Sequence, residues 1–499
     1  MRKIILVTLS ALFVVLSSCK KDDDIVIEPE LALFNFTFEK GYNNDIQNDI
    51  TLTYDGEIIT GWVPLEADIN NLTASFEFTG AEVRIGNKLQ QSNITSNDFS
   101  KAVIYTVIGN DSSTRDFTVE VSWYTGLPII NIFTDNGLEI TSKEDYIQGE
   151  AYVFGGKLFE NSSGDMKIRG RGHSTWGVHP KKPYQMKFDD KTEVLDMPKA
   201  KKWIFLAEHS DKTLIRNSIA FEMGYISNLD WTPRCEYSEV FINNEYNGTY
   251  NITEKVEAGE DRVNIGDNGF LCEIDTPDHL SPDDIYFNST RFTIQVKEPE
   301  ITTGSSEFNY IRDHVIEFEE ILFSSIFKDP VYGYRKYLDI SSVIDWYLIN
   351  EISKNVDAKD YSSMYFNHIP GEKIKMGPLW DFDLAFGNVD YADSQYPEGF
   401  WVKDHQWISR LFEDPAFVLE VKDRFAYFLD NEDYLLGLID EKAKYLRFAQ
   451  EENNNKWDLF GNYVWPNPVV YDTHQQEVNH LKDWFKKRMS WLDEAYSSM

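Results

Sequence analysis

Residues 377–387, GPLWDFDLAFG, carry two aspartates one position apart, Asp381 and Asp383, among bulky apolar side chains. A buried ionised carboxylate loses its hydration, which costs several kcal/mol unless a partner offsets the loss. Two such carboxylates also repel each other, and a divalent cation or a shared proton relieves that repulsion. A surface pair of aspartates would explain the pattern more simply, so the flanking elements decide between the interpretations.

The segments before the pair predict a β-hairpin that positions it. Residues 362–369 and 374–380 read as two strands, with Pro370 in the turn between them. A hairpin centred on that turn places residue 357 opposite residue 384. The carboxylates of Asp357, Asp381 and Asp383 are therefore expected close together at the open end of the hairpin.

A helix is expected directly before Asp357. The segment 341–355, SSVIDWYLINEISKN, has apolar residues at helical spacing. A Ser342-x-x-Asp345 box is expected to cap its first turn. The helix would then deliver Asp357 to the base of the hairpin.

This order of parts is typical of phosphoryl transfer on a protein-kinase-like scaffold. In that scaffold a loop aspartate is followed five positions later by a metal-ligating asparagine, and a hairpin leads to a metal-binding aspartate. Here Ser362 stands five positions after Asp357 and is a weaker oxygen ligand. We predict Asp357 as the catalytic residue, ATP as phosphate donor and Mg²⁺ or Mn²⁺ as the metal. The predicted metal ligands are Asp381, Asp383 and Ser362.

A phosphate-binding segment is predicted upstream, in IRGRGHSTWGVHPKKPYQMKF (168–188). Its glycines could bring backbone N–H groups close to a phosphate, and its basic side chains could pair with one. A solvated strand edge for the lysines and salt bridges for the arginines are the plainer alternatives. The predicted nucleotide-binding residues here are Gly170, Arg171, Gly172, Lys182 and Lys187.

Composition excludes one class of partner. The 499 residues are 42% hydrophobic and 15% aromatic, which supports two or three domains with real cores. The formal net charge of −35 argues against nucleic acid, whose phosphates require Lys and Arg. Whether Cys235 and Cys272 pair is left open by the sequence.

The N-terminus reads as a targeting signal. Basic residues precede an apolar run, and LSSC before Cys19 resembles a bacterial lipoprotein cleavage box. The following KKDDD resembles the surface-export signal of lipoproteins in Bacteroidetes-like bacteria. We predict a signal peptide (1–18), a lipidated Cys19 and a tether (19–30). The protein would be an outer-membrane lipoprotein exposed at the cell surface, attached to the membrane through its lipid alone.

Two further regions follow the tether. Residues 31–124 alternate apolar and polar positions in short runs, which predicts a small β-sandwich, and they resemble Ig-like modules of bacterial surface lipoproteins. Residues 127–499 begin with strands, including a hairpin turning at Asn243-Asn244, and end in amphipathic helices. The predicted fold class is α+β.

Collinear motifs across about 127–495 resemble the CotH (spore-coat protein H) kinase-like family. They include RGRGHSTW, VFINNEYNGTYNITEKV, FLCEID and GPLWDFDLAFGN. The resemblance implies a divergent two-lobed protein-kinase-like domain that phosphorylates protein hydroxyls with ATP and a divalent metal. By position it implies Asp357 as catalytic aspartate and Asp381 or Asp383 as metal ligand. Trp380 would line the base pocket, with core packing as its alternative, and Glu254 would lie near the hinge, with a salt bridge as its alternative.

Two other functions remain open at this stage. A degenerate kinase fold could serve as an envelope binding or scaffold protein for a glycan or a protein, since ATP is scarce outside a cell. A metal-dependent hydrolase or glycosyltransferase could use the D-x-D pair. With nine histidines and no H-E-x-x-H, zinc chemistry is disfavoured.

Overall fold

The computed structural model describes residues 30–46, 49–64 and 67–499. The predicted signal peptide, the predicted lipidation site Cys19 and nearly all of the tether lie outside the described residues. The chain divides into two compact units between Val121 and Ser122. It is a mixed α/β protein in which a β-rich N-terminal region precedes the larger C-terminal unit.

The N-terminal unit consists of strands packed through aromatic side chains. One sheet has the order β2-β1-β6 and another the order β3-β4-β11-β10-β7-β8, with β5 and β9 forming a small pair. Phe36 of β1 lies edge-to-face on Tyr105 of β10, 5.2 Å between ring centroids, so aromatic side chains join the two sheets. The strands are β1 (Ala32–Phe38), β2 (Ile50–Thr51), β3 (Thr53–Asp55), β4 (Ile58–Val63), β5 (Leu72–Thr73), β6 (Ser75–Thr79), β7 (Glu82–Ile85), β8 (Lys88–Leu89), β9 (Ser96–Asn97), β10 (Val103–Ile108) and β11 (Thr114–Trp123).

The C-terminal unit begins with a closed barrel in the order β12-β13-β14-β15-β16-β18-β17. Alternate residues of β15, such as Met186 and Phe188, fill its interior, so Lys187 lies on its outer face. Asn243 and Asn244 adopt positive φ (51° and 68°) between β17 and β18, which confirms the predicted hairpin turn. The barrel strands are β12 (Ile129–Thr134), β13 (Ile147–Phe154), β14 (Ser162–Gly170), β15 (Tyr184–Val194), β16 (Met197–Leu206), β17 (Cys235–Ile242) and β18 (Glu245–Glu254).

A second sheet, ordered β20-β21-β19-β22-β23, and the helices complete this unit. The sheet strands are β19 (Phe270–Ile274), β20 (Tyr286–Asn288), β21 (Thr293–Glu298), β22 (Met364–His368) and β23 (Lys375–Met376). The helices are α1 (Ser174–Val178), α2 (Arg216–Tyr225), α3 (Ser306–Leu322), α4 (Ile340–Ser353), α5 (Gln406–Leu411), α6 (Pro415–Asp430), α7 (Glu432–Tyr445), α8 (Ala449–Trp457) and α9 (His474–Ser497). Within the described residues, no helix combines the length and the apolar character that a membrane span requires.

Helix α4 is the predicted helix before Asp357, and nearly all of it is buried. The predicted Ser342-x-x-Asp345 cap is wrong, because Asp339 caps the helix by accepting the Ser342 N–H at 2.9 Å. Asp345 instead pairs with Arg424 at 2.5 Å. Burial of the Asp345 carboxylate is costly unless a cation compensates for the lost hydration, whereas the first turn already has Asp339 as an acceptor. Asp345 therefore pairs with Arg424 instead of capping the helix.

A buried ion pair fastens α4 to the C-terminal helix α9. Arg488 lies 2.6 Å from the Glu351 carboxylate, and both side chains are fully buried. Glu351 also accepts the backbone N–H groups of Trp401 and Lys403 at 2.8 and 2.7 Å. Arg488 donates further bonds to the Gly399 carbonyl and others nearby. The pair therefore fixes two helices and the loop between them.

The two cysteines of the C-terminal unit, Cys235 and Cys272, are free thiols. Burial raises the pKa of the Cys235 thiol to about 12 and raises that of Cys272 as well. Cys272 is buried and Cys235 is partly buried, and both side chains behave as small apolar groups rather than as a pair.

We predict that Arg488→Met lowers the free energy of unfolding by about 3–5 kcal/mol, because it leaves the Glu351 carboxylate buried without its cation. The double variant Glu351→Gln/Arg488→Met should recover part of that loss. Lys482→Met, which breaks a more exposed pair with Asp440, should cost less than ~1 kcal/mol. Urea unfolding checks this, and equal losses from Arg488→Met and Lys482→Met would contradict it.

Candidate active site

The predicted hairpin carries the candidate site. Phe366 of β22 lies opposite Met376 of β23, so the hairpin is confirmed with a register one residue away from the predicted one. The strand pairing is shorter than expected, although the Gly377 N–H still donates to the Tyr365 carbonyl at 2.8 Å. The chain beyond β23 then leaves the sheet as a loop that carries Trp380 and the two aspartates.

The predicted carboxylates lie close enough to affect one another. Burial, with the neighbouring carboxylates of Asp381 and Asp275, raises the pKa of Asp357 to about 7. Burial also raises the pKa of Asp381 and that of Asp383. The charge of Asp381 adds to the rise in the Asp383 pKa, so the two side chains lie close enough to interact.

The two paired aspartates face different surroundings. Asp383 accepts the Ser210 hydroxyl at 2.9 Å, and its own carbonyl accepts the Asn388 side-chain amide at 2.7 Å. Asp381 adopts a positive φ of 66° and faces Arg171, whose charge opposes the rise in the Asp381 pKa. A positive φ is uncommon outside glycine and persists where surrounding contacts hold it. Asp381 is thus the member of the pair that faces a cationic group.

Arg171 is the predicted nucleotide-binding residue that reaches the aspartates. Its guanidinium lies over the Trp380 ring, 5.2 Å from the centroid, and burial lowers its pKa against the opposing charge of Asp381. Glu273, at the centre of the second sheet, also acts on both Arg171 and Asp381. Trp380 is itself buried, so it combines core packing with a cation–π contact.

The glycines beside Arg171 serve the fold. A Cβ on Gly170 would meet the Trp176 ring at 2.2 Å, so packing requires glycine there. The Gly170 and Arg171 N–H groups donate to the carbonyls of Ser142 and Pro183 at 2.8 and 3.1 Å. In this arrangement the two amides are used within the protein. Gly172 adopts a φ of 82°, and its carbonyl accepts the Lys143 ammonium.

The predicted lysines lie elsewhere. Lys182 donates to the Trp176 carbonyl at 2.6 Å. Lys187 lies across from Lys167 and Lys202 on the outer face of the barrel. Neither Lys182 nor Lys187 is among the groups that shift the pKa values of Asp357, Asp381 and Asp383.

Glu254 and Ser362 have other partners. Glu254 is buried and pairs with Arg234 at 3.0 Å. The salt bridge named as the alternative to a hinge position is therefore present. The Ser362 N–H donates to the Asp357 carbonyl at 3.2 Å, which folds the loop back on itself and keeps Ser362 near the catalytic candidate.

Side chains that the sequence did not single out complete the site. Asp275 accepts a hydrogen bond from His279 at 2.7 Å, and the other ring nitrogen of His279 lies 3.3 Å from the Tyr361 hydroxyl. His173 stacks on His279 with ring centroids 4.2 Å apart. Asp275 and His279 are about 80 positions before Asp357, and only the FLCEID motif, which ends at Ile274-Asp275, pointed towards this segment.

A deeper acidic residue, Glu208, also borders the site. Its carboxylate accepts the side-chain amides of Asn217 and Asn251, and burial with Asp211 and Asp383 raises its pKa. The side-chain oxygen Oδ1 of Asn217 in turn accepts the Phe382 N–H at 2.7 Å. Helix α2 therefore holds the aspartate loop through amide side chains, a role that the sequence left unassigned.

Comparison with known proteins gives two family matches. A family model described as CotH kinase protein matches residues 167–492. A second, described as SGBP, N-terminal, a module of Bacteroidetes surface glycan-binding proteins, matches residues 34–121. A search of curated proteins gave no match.

One solved structure is also similar. It is a protein from Bacteroides thetaiotaomicron described as a "putative glycoside hydrolase", 12% identical, with a TM-score of 0.14. The match covers 53% of this chain and 82% of that one. A TM-score this low supports no statement about fold or function.

We predict that Asp357→Asn stabilises the metal-free protein more at pH 8 than at pH 5. An aspartate whose folded pKa is raised favours folding below its unfolded pKa, about 4, and that contribution is lost as the pH rises towards about 7. The expected gain at pH 8 is about 1–3 kcal/mol, after a discount for residual solvent access. Urea unfolding with a chelator at both pH values measures it.

The exposed Asp313 provides the control, since Asp313→Asn removes a carboxylate whose side chain is 64% exposed. That variant should show no such difference between the two pH values. An Asp357→Asn effect of equal size at pH 5 and pH 8 would mean that the Asp357 carboxyl is not desolvated.

Proposed function

This chain belongs to the CotH kinase family, and from that membership we propose that its C-terminal unit transfers a phosphoryl group from ATP to a hydroxyl. In this proposal the barrel forms one lobe, and the second sheet with the helices forms the other. The observation that carries it is the convergence of Asp357 and Asp381 at the base of the hairpin, with Arg171 beside them. Phosphoryl transfer needs positioned charges rather than covalent chemistry from the protein.

Asp357 is proposed to orient the acceptor hydroxyl and to take its proton. A general base works best when its pKa lies near the working pH, and the Asp357 pKa is raised to about 7. Its desolvated carboxylate gains most from an incoming hydroxyl donor, because few other donors compete for it. Arg171 is proposed to balance phosphate charge next to Asp381.

Asp381 is proposed as the principal metal ligand, because the Asp383 carboxylate already accepts a hydrogen bond from the Ser210 hydroxyl. Across the described residues, no group of three or more His, Cys, Asp or Glu side chains is arranged around a single ion position. One or two carboxylates, from Asp381 and Asp383, fit Mg²⁺ or Mn²⁺. In nucleotide sites Mg²⁺ usually takes one or two carboxylates and completes its shell with phosphate oxygens and water. A bound cation would neutralise negative charge on the transferred group.

A binding or scaffold role is the second candidate. Ser362 replaces the usual asparagine ligand, and the Gly170 and Arg171 amides are already bonded within the protein. Both features reduce the support for efficient catalysis. The match of residues 34–121 to a surface glycan-binding module supports a glycan or surface-protein partner for either candidate. It also supports a Bacteroidetes surface location, and we propose attachment through a lipid on Cys19.

Binding of Mn²⁺–ATP by isothermal titration, beside an autophosphorylation assay, tests the assigned roles. Asp381→Asn should weaken Mn²⁺–ATP binding at least tenfold, because it removes the proposed ligand. Asp357→Asn should keep much of that binding and lose transfer, because its role is to act on the acceptor.

Lys187→Ala is the matched control and should bind nucleotide as the unaltered protein does, since Lys187 is not among the groups that act on the aspartates. Unchanged binding in both aspartate variants would remove the metal site from the proposal. The scaffold role would then be preferred.

Cys19→Ala tests the proposed anchor. Diacylation gives stable membrane attachment, whereas a single weak signal does not. The variant should therefore move from the membrane fraction to the soluble fraction of cells that express it. Continued membrane fractionation of Cys19→Ala would rule out a lipid on this residue.

A further inference from the structure

A line of aromatic rings borders the candidate catalytic aspartate. We call it the aromatic arc and define it as His279, Tyr361, Tyr391 and Trp465. His279 and Tyr361 meet edge-to-face with centroids 5.2 Å apart. Tyr391 and Trp465 lie nearly parallel, 22° between ring planes and 6.5 Å between centroids.

The arc spans the position of Asp357. Burial raises the pKa of Tyr361 and that of Tyr391, and the Asp357 carboxylate adds to both shifts. The Tyr361 N–H donates to the Asp357 carbonyl at 3.2 Å, and Tyr361 also acts on the pKa of Tyr391. Tyr361 therefore lies directly beside Asp357, and Tyr391 is near enough to both for their charges to act on its hydroxyl.

Three of the rings remain partly exposed to solvent. Tyr361 is 46% exposed, and Tyr391 and Trp465 are each 39% exposed. Each aromatic side chain can bury 150–250 Å², so leaving three of them partly uncovered together forgoes stabilisation that folding would otherwise gain. Partly exposed aromatic rings grouped in this way offer a surface on which a ligand can pack.

The loops that present the rings are fixed before any ligand binds. The Asp390 N–H donates to the Pro466 carbonyl at 2.9 Å, and the Asn467 amide donates to Asn388 at 3.0 Å. These bonds join the segments that carry Tyr391 and Trp465. A ligand that packs on the two rings would therefore lose little affinity to ordering them.

The polar groups around the rings suit hydroxyls. Asp275 and Asp357 are acceptors for O–H donors, whereas both ring nitrogens of His279 already have partners, Asp275 and the Tyr361 hydroxyl. Asp278 and Asp390 add further negative charge near the rings, since they act on the pKa values of Tyr361 and Tyr391. An acidic acceptor would be repelled here, while a neutral polyhydroxylated one would not.

We propose that the aromatic arc binds a neutral carbohydrate, and that a hydroxyl of this sugar is the phosphoryl acceptor. The apolar C–H faces of sugar rings pack on flat aromatic rings, while their hydroxyls reach the carboxylates at the ring edges. This inference rests on the proposed kinase function. It specifies the acceptor as a sugar, where the family resemblance implies a protein hydroxyl.

Transfer at this site exchanges one P–O bond for another. The sugar oxygen forms a bond to the γ-phosphorus, and the bond from that phosphorus to the β–γ bridging oxygen breaks. ADP leaves with the bonding electron pair, and the hydroxyl proton passes to the Asp357 carboxylate. No oxidant or reductant is required.

Sugar binding is measured first, without nucleotide, by tryptophan fluorescence and isothermal titration. The protein used is the whole chain without its predicted signal peptide. The probes are maltohexaose, cellohexaose, xylohexaose and mannohexaose. We expect at least one to bind, and Tyr391→Ala or Trp465→Ala to weaken that binding about tenfold each. Trp465→Phe keeps a ring and should restore most of the affinity. Tyr434→Ala, which removes a ring 48% exposed on α7, should leave binding unchanged.

Transfer is then followed with labelled ATP and Mn²⁺, using the bound sugar and a serine-rich peptide as rival acceptors. Tyr391→Ala should raise the KM for the sugar and leave the KM for ATP unchanged. Sugar binding that depends on the arc, in a protein that binds no nucleotide, would overturn the proposed function but not the carbohydrate site. The inference itself would be overturned by nucleotide binding without binding of any of the four sugars, by sugar binding unaffected in both alanine variants, or by transfer to the peptide alone.

Discussion

The fully buried pair of Glu351 and Arg488 is the interaction on which the position of the candidate site depends. Glu351 lies in α4, six residues before Asp357, and its carboxylate also accepts the Trp401 and Lys403 N–H groups. Burying both ions is costly, and the cost is offset only because nearly all of their donors and acceptors are used. A loop that starts from such a fixed helix end has little freedom, and Asp357 is placed accordingly.

That rigid support allows an arrangement that would not persist in a flexible loop. Asp357 and Asp381, with Asp275 nearby, are held within range of mutual repulsion, and Arg171 is the cation that acts on Asp381. The repulsion would push mobile side chains apart into water. It is tolerated because α2, through Asn217, and Ser210 hold the loop that carries the aspartates. The protein therefore keeps a local excess of negative charge that an incoming cation or a hydroxyl donor can relieve.

Much of this site could be predicted from local sequence, and the rest could not. The hairpin, α4 and the clustering of Asp357 with Asp381 followed from short-range patterns, because turn residues and strand lengths set register directly. The need for glycine at Gly170 could not be predicted, because it comes from close packing against the Trp176 ring, a contact that only the folded structure shows. Asp275 and His279 come from another strand end, and no periodic pattern links them to Asp357. Lys187 lies on the outer face of the barrel beside Lys167 and Lys202, a placement that local sequence does not determine.

The candidate site departs from the patterns that stabilise the rest of the fold. The barrel and the helices follow those rules closely, with alternating strands and amphipathic faces. Features of these kinds also occur singly elsewhere, as at Asn243 and Glu351, but at the candidate site a desolvated carboxylate, an aspartate at positive φ and partly exposed aromatic rings lie together. In a sequence selected only for stability each exception would be removed independently, because each costs free energy by a different mechanism. Their coincidence in space, on loops that a buried ion pair and amide side chains hold in place, is what distinguishes a functional site from scattered imperfections of packing.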